Sequence, residues 1–265
     1  FGGNGVVLRS EDGAAATIID CEMAGRAIRF HSGETRAAVV DGFTIQNGRM
    51  SGNDPALFGG GILAEGAAPT IARCIFRGNS AASGGALACL SFSGHSPAIR
   101  ECIFSDNSAS LGGALYNEAS PQITDCVFTA NTGAQGGALA GYTTAGRPVL
   151  ARCTFTGNSS SVGGAIFFIE STLALSDCIF TGNSATEDAG GLFAGNSATC
   201  GFIRTVFAGN TAALTGGAVC CAANPGYDAS IALDQCTLAG NAAGVAGAGL
   251  FVAGAFTATL TNTII

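Results

Sequence analysis

The chain repeats itself. A unit reading Ile/Leu-x-x-Cys-x-Phe-x-x-Asn and then Gly-Gly-Ala-Leu returns about every 27 residues. Its first half stands at Cys74-Phe76-Asn79, Cys102-Phe104-Asn107, Cys126-Phe128-Asn131, Cys153-Phe155-Asn158 and Cys178-Phe180-Asn183, with Thr205-Phe207-Asn210 and Cys236-Leu238-Asn241 as conservative departures. Weaker copies centred on Cys21, Phe43 and Thr263 bring the count to about ten.

A unit this short cannot bury an apolar face alone, so neighbouring copies must stack and share one core. A helix pair of this length would place apolar residues at i, i+3, i+4 and i+7. Here they fall at i and i+2 and are broken every few residues by Gly, Asn or Pro, which is the pattern of strands and turns. Three short strands and three turns fill one unit, and successive units pair in parallel at roughly 4.8 Å. Parallel crossovers are nearly always right-handed. The expected fold is all-β: a right-handed, single-stranded parallel β-helix of about ten coils, three short strands per coil, forming a rod of roughly 43 Å. The chain reads as one domain over 1–265, a segment of a longer surface protein, with degenerate coils over 1–70 and regular repeats over 71–265.

Side chains alternate along a strand, so the Cys and Phe of each unit share the inner face and stack into ladders. These ladders are Cys74, Cys102, Cys126, Cys153, Cys178 and Cys236, and Phe76, Phe104, Phe128, Phe155, Phe180 and Phe207. The third column, Asn79, Asn107, Asn131, Asn158, Asn183, Asn210 and Asn241, is placed at a turn, where Asn tolerates left-handed backbone and its amide can bond the Asn above and below. The pairs Gly84-Gly85, Gly112-Gly113, Gly136-Gly137, Gly163-Gly164, Gly190-Gly191 and Gly216-Gly217 precede neither a helix start nor a Lys, so they are corners rather than phosphate cradles. Pro69, Pro97, Pro121 and Pro148 mark another corner. Immediately before the Cys column, Asp20, Arg73, Glu101, Asp125, Arg152, Asp177 and Arg204 alternate in sign at several steps, which reads as a solvated charge ladder.

Charge narrows the function. All 11 basic residues are Arg, against 18 acids and a net charge of −7, a field that repels phosphate backbones, so no nucleic-acid partner is expected. The uncharged stretch 242–260 has the hydropathy of a membrane span, yet it keeps the repeat spacing and carries Gly244, Gly247, Gly249 and Gly254, so it is assigned to another coil. The column cysteines behave as small hydrophobes, while Cys89, Cys200, Cys220 and Cys221 lie off the column and their pairing stays open. No metal or cofactor is assigned, because a zinc site needs clustered Cys or His and neither His31 nor His95 falls beside the column.

A glycosidase on this scaffold needs two or three converging carboxylates, and a calcium-assisted lyase needs clustered acids beside a base. The Asp residues are scattered, without Asp-Asp or Asp-x-Asp. The nearest approach, Glu101 and Asp125 flanked by Arg152, reads as part of the ion ladder, and no catalytic residue is assigned.

Phe128-Thr129-Ala130-Asn131 with Gly136-Gly137-Ala138-Leu139, and Phe155-Thr156-Gly157-Asn158 with Gly163-Gly164-Ala165-Ile166, show the motif pair in full. Over 71–250 this pattern resembles the repeats of the polymorphic outer-membrane proteins of chlamydiae and their bacterial relatives. The resemblance implies a right-handed β-helical passenger exported to the cell surface, with adhesive or surface-coat roles, usually followed by a translocating barrel.

The residue between Cys and Phe must point outward, giving Ile75, Ile103, Val127, Thr154, Ile179, Val206, Thr237 and Ile264. The next outward position reads Arg77, Ser105, Thr129, Thr156, Thr181, Ala208 and Ala239, and the strand after Gly-Gly is expected to expose Tyr116, Phe167, Phe193 and Phe251. Flat, uncharged, partly apolar faces of this kind mark an interaction surface. The expected function is therefore non-enzymatic: an extracellular structural or adhesive β-helix that self-associates through these faces into a filament or surface layer. Its partners would be other copies, other surface proteins, or host or matrix glycans. The alternatives are covering of the faces by loops of the same chain, a polysaccharide-binding or polysaccharide-cleaving β-helix, and ice binding through a regular Thr and Ile column, which here lacks a sustained Thr-x-Thr array. Loops at 53–58, 94–95, 142–147 and 224–228 lengthen single coils and are where a ligand site would be grafted.

Overall fold

The computed structural model describes residues 2–51, 57–90, 96–142 and 147–265. It is a right-handed parallel β-solenoid of about nine turns. Among the described residues there is no α-helix. The first sheet has ten strands, from Val7–Arg9 to Phe256–Thr261. The second has nine, from Ile18–Asp20 to Thr237–Ala239, and the third nine, from Ile28–Phe30 to Leu250–Gly254. These are the three strands per coil that the repeat predicts. A fourth, shorter ladder of six strands, from Ser108–Leu111 to Ala242–Ala243, follows the Asn column.

From Phe43 onward register follows the repeat without slippage; in the first coil Thr17, four residues before Cys21, stands in line with Phe43 and Cys74, so Cys21 is not a member of the column. Phe76, Phe104, Phe128, Phe155, Phe180 and Phe207 pair one with the next in the second sheet. Their rings are fully buried and stack face to face at 4.5 to 4.8 Å between centroids, within 11° of parallel. Shape matching continues on the third sheet, where Phe168 lies beside Gly141 of the preceding coil, and a Cβ at Gly141 would fall 2.3 Å from that ring.

Three columns of left-handed backbone bend each coil. Between the first and second sheets a single residue turns the chain: Arg73 (φ 49°), Glu101 (56°), Asp125 (56°), Arg152 (53°), Asp177 (55°) and Arg204 (47°). These are the charged residues of the sequence ladder except Asp20, which lies instead in a strand of the second sheet, in register with Gln46 and Arg77. A left-handed non-glycine costs roughly 1–2 kcal/mol, and the pairing of its N–H with the next coil offsets that cost, as in Glu101 N–H to the Thr124 carbonyl at 3.0 Å.

The second column overturns one expectation. The left-handed residue at the Asn turn is the one before the asparagine, namely Gly78, Asp106, Ala130, Gly157, Gly182, Gly209 and Gly240, and the asparagines keep ordinary φ. Their side chains turn inward instead. The expected amide ladder is present, running unbroken from Asn79 to Asn241.

The third column is the glycine corner. Gly136 is left-handed at φ 68°, and a Cβ on Gly137 would fall 2.1 Å from the Gly164 carbonyl of the next coil, so only two glycines fit. Of the six pairs read from the sequence one departs: Ala189 takes the left-handed place (φ 63°) and Gly190 the close-approach place, so the corner there is Ala189-Gly190 and not Gly190-Gly191. Gly191 occupies the position of Ala165, one residue before the strand.

Candidate functional site

All eleven cysteines are free thiols, and all but Cys21 are buried. Those of the column donate to carbonyls of their own and the preceding coil, as Cys102 does to Arg100 at 3.2 Å and Ile71 at 3.7 Å. Burial pushes the Cys89 and Cys200 thiols up to about 12, which holds them protonated and unreactive. Among the described residues no group of three or more His, Cys, Asp or Glu is placed to hold a metal ion.

The charge ladder pairs coil to coil. Arg152 forks onto Asp125 with both oxygens at 2.7 and 2.8 Å, and Arg204 onto Asp177 at 2.7 and 2.9 Å. Arg73 turns away from Glu101 to the buried Asp41, which also takes Arg9 at 2.8 Å, while Glu101 binds its neighbour Arg100 at 3.1 Å and Asp20 takes the amides of Gln46 and Asn47. Of the lyase-like trio, Arg152 pairs with Asp125, and Glu101 pairs with Arg100.

The outward column of the second sheet stands as expected. Ile103, Val127 and Ile179 are 40%, 37% and 45% exposed, Ile264 is 67% exposed, and Ile75, Thr154, Val206 and Thr237 are half-buried between them. They pair coil to coil in one line. Beside them run Ser105, Thr129, Thr156, Thr181, Ala208 and Ala239, so from Ile103 to Ala239 neither column holds a charge; Arg77 and, two coils further, Asp20 are the charges before it. Side chains alternate across a strand, which fixes the part of this face from Ile103 to Ala239 as an uncharged strip.

The outward face of the third sheet differs from expectation. Tyr116 and Phe167 point away from the core yet are only 5% exposed, and Phe193 and Phe251 are half-buried. Tyr116, Phe167 and Phe193 belong to a second apolar cluster outside the coil, with Leu63, Ala88 and Ala140, roofed by Phe58, Leu111 and Val162 from the segment before the glycine corner. The short fourth ladder carries that segment outward over the sheet, a device the three-strand reading did not contain. Phe58, Tyr116, Tyr142, Phe167 and Phe193 form a continuous series of ring contacts along the rod, with centroids 5.1 to 6.4 Å apart.

Where that aromatic series ends, a groove of about 530 Å³ opens. Its floor is a register column that shrinks from Tyr142 and Ile169 to Gly195, Ala222 and Ala253. Gln135 and Asp188 rise on one side, and Asn196 and Asn224 stand on the other. Asp188 is fixed by the Thr215 N–H at 3.0 Å and its hydroxyl at 2.6 Å, and Asn196 accepts from the Asn224 N–H at 3.0 Å. Of these residues Asn224 and Tyr142 lie in segments singled out from the sequence, the loops 224–228 and 142–147. The signal was present in the loss of side-chain bulk down one column, but it becomes visible only once the register is known. The loops at 53–58, 94–95 and 142–147 lie wholly or partly outside the described residues.

Stacked thiol, phenylalanine and asparagine columns in and around an apolar core define a right-handed parallel β-helix built from structural repeats. The chain belongs to the right handed beta helix region family, whose model matches residues 1–145. It also carries Chlamydia polymorphic membrane protein repeats at 152–169 and 204–222. Each of these runs from a left-handed Arg corner through the Phe and Asn columns to the strand after Gly-Gly. No curated protein and no solved structure matches the chain significantly.

Proposed function

We propose that this chain is a non-enzymatic, surface-displayed β-helix that acts by adhesion, engaging other copies of itself or other surface proteins through the outer face of its second sheet. The observation that carries this reading is the exposed line Ile103, Val127, Ile179 and Ile264, which no segment of the described chain covers. Exposed apolar residues in one contiguous strip cost solvation in the isolated molecule and gain it back on contact. The repeat resemblance supports a cell-surface or outer-membrane setting, the place where an exposed apolar strip of this kind would meet partners.

Sedimentation velocity over a range of concentrations tests the reading, with electron microscopy of the same samples for rods that join. Mass that rises with concentration, and falls back to monomer in an Ile103→Lys, Ile179→Lys variant, is the expected outcome. A chain that stays monomeric at every concentration and captures no surface protein through that face would defeat it.

A further inference from the structure

The geometry points to the groove at the end of the aromatic series as a binding site for a neutral oligosaccharide. This deepens the adhesive reading by naming a ligand class. It uses a different face, the third sheet rather than the second, so either can fail without the other.

The groove exists because two features coincide. The column Tyr142, Ile169, Gly195, Ala222, Ala253 loses its bulk midway, and Gly195 cannot regain it, since a Cβ there would meet Phe193 at 2.8 Å and Ile169 at 3.0 Å. Alongside, Phe167 and Phe193 stack at 5.1 Å and line the groove with ring carbon. The resulting volume, about 530 Å³, lies within the range of ordinary small-ligand pockets.

Its chemistry is selective. The polar groups that line it are three side-chain amides and one carboxylate, with no basic residue among them. Amides and a carboxylate both serve hydroxyl groups, which donate and accept at once, and apolar ring surface serves the C–H faces of a pyranose. Phosphates, sulfates and uronates find no cation here and meet both Asp188 and a net charge of −7. Asp188 is held by two donors from Thr215, and Asn196 is tied to Asn224, so the polar groups are positioned before any ligand arrives. The groove is open at the side, as a polymer passing along the rod would require.

Isothermal titration of the purified chain with hexasaccharides of cellulose, mannan, xylan, chitin and starch, and with hexagalacturonate as the anionic probe, tests the assignment. We expect at least one neutral hexasaccharide to bind, with affinity unchanged between about 0.05 and 0.5 M salt, and hexagalacturonate not to bind. Ala222→Phe, which fills the groove from a half-buried surface position, should weaken binding at least tenfold while the melting temperature holds, and Asp188→Ala should weaken it too. Phe193→Ala should do the same, but that ring also packs on Phe167, so Ala222→Phe is the deciding variant. The assignment falls if no neutral hexasaccharide binds, if Ala222→Phe binds as well as the parent, or if binding is salt-sensitive or stronger for hexagalacturonate. The Ile103→Lys, Ile179→Lys variant should bind sugar normally, which separates this outcome from that of the second-sheet face.

Discussion

The side-chain oxygen of Asn158 accepts both the backbone N–H and the side-chain amide of Asn131, at 3.0 and 2.9 Å, while the Asn158 amide donates back to the Phe128 carbonyl at 3.0 Å. Asn107, Asn131, Asn183 and Asn210 repeat this arrangement, so a polar column crosses the core boundary with its donors and acceptors satisfied. Asn158→Ala strands two buried donors of Asn131 and should cost about 2–5 kcal/mol, read from urea unfolding. Asn158→Asp keeps the acceptor but loses the donor, and should be destabilised more at neutral pH than in mild acid, where a protonated carboxyl can donate again.

Phe128 is stacked at 4.7 Å on both Phe104 and Phe155. Phe128→Ala should cost about 3–5 kcal/mol, since neither neighbouring coil can collapse into the void without breaking register. An unchanged urea midpoint would contradict the stack.

The alanine at the coil corner offers the opposite sign. Ala189→Gly relieves a left-handed alanine and should leave stability unchanged or raise it by up to about 1 kcal/mol, the gain being partly offset by greater unfolded-chain freedom. Gly137→Ala, whose Cβ would fall 2.1 Å from the Gly164 carbonyl, should be strongly destabilising, and thermal melts of the two variants give the comparison.

The buried thiols predict an alkaline limit. Burial raises Cys89 and Cys200 to about 12, so they stay protonated in the folded chain where an unfolded thiol ionises near ~8.5. A raised folded-state value contributes stability that is complete below the unfolded value and is lost as pH rises from there toward about 12. The urea midpoint should therefore be flat through neutral pH and fall progressively above it, less steeply in Cys89→Ala. A thiol reagent should label Cys21 alone in the native state and all eleven after unfolding.

The ion ladder has the reverse sign. The Arg152 guanidinium beside Asp125 and the Arg204 guanidinium beside Asp177 hold those carboxyls below the ordinary aspartate range. Their contribution is present above that range and disappears as pH falls through the lowered values. Both pairs are solvent-exposed, so the effect is small and salt-sensitive. Carboxyl titration by NMR should show Asp125 returning to its ordinary value in Arg152→Gln.

The repeat by itself determined the solenoid, the inner columns of Cys and Phe and the exposed line from Ile75 to Thr237, while the handedness came from the general rule for parallel crossovers. Period-two alternation and a fixed spacing leave one way to stack apolar residues, and a one-residue slip would turn every side chain to the wrong face. What the tertiary structure decided lies outside the coil: that Tyr116 and Phe167 are roofed rather than exposed, that Ala189 rather than Gly191 makes a corner, and that a groove opens where Tyr142 and Ile169 give way to Gly195 and Ala222. Each depends on contacts between side chains one coil apart, some 24 to 31 residues distant along the chain, and on where a short ladder projects over its neighbour. Local pattern carries the direction a side chain points, but what meets it there is set by the packing of coils against one another.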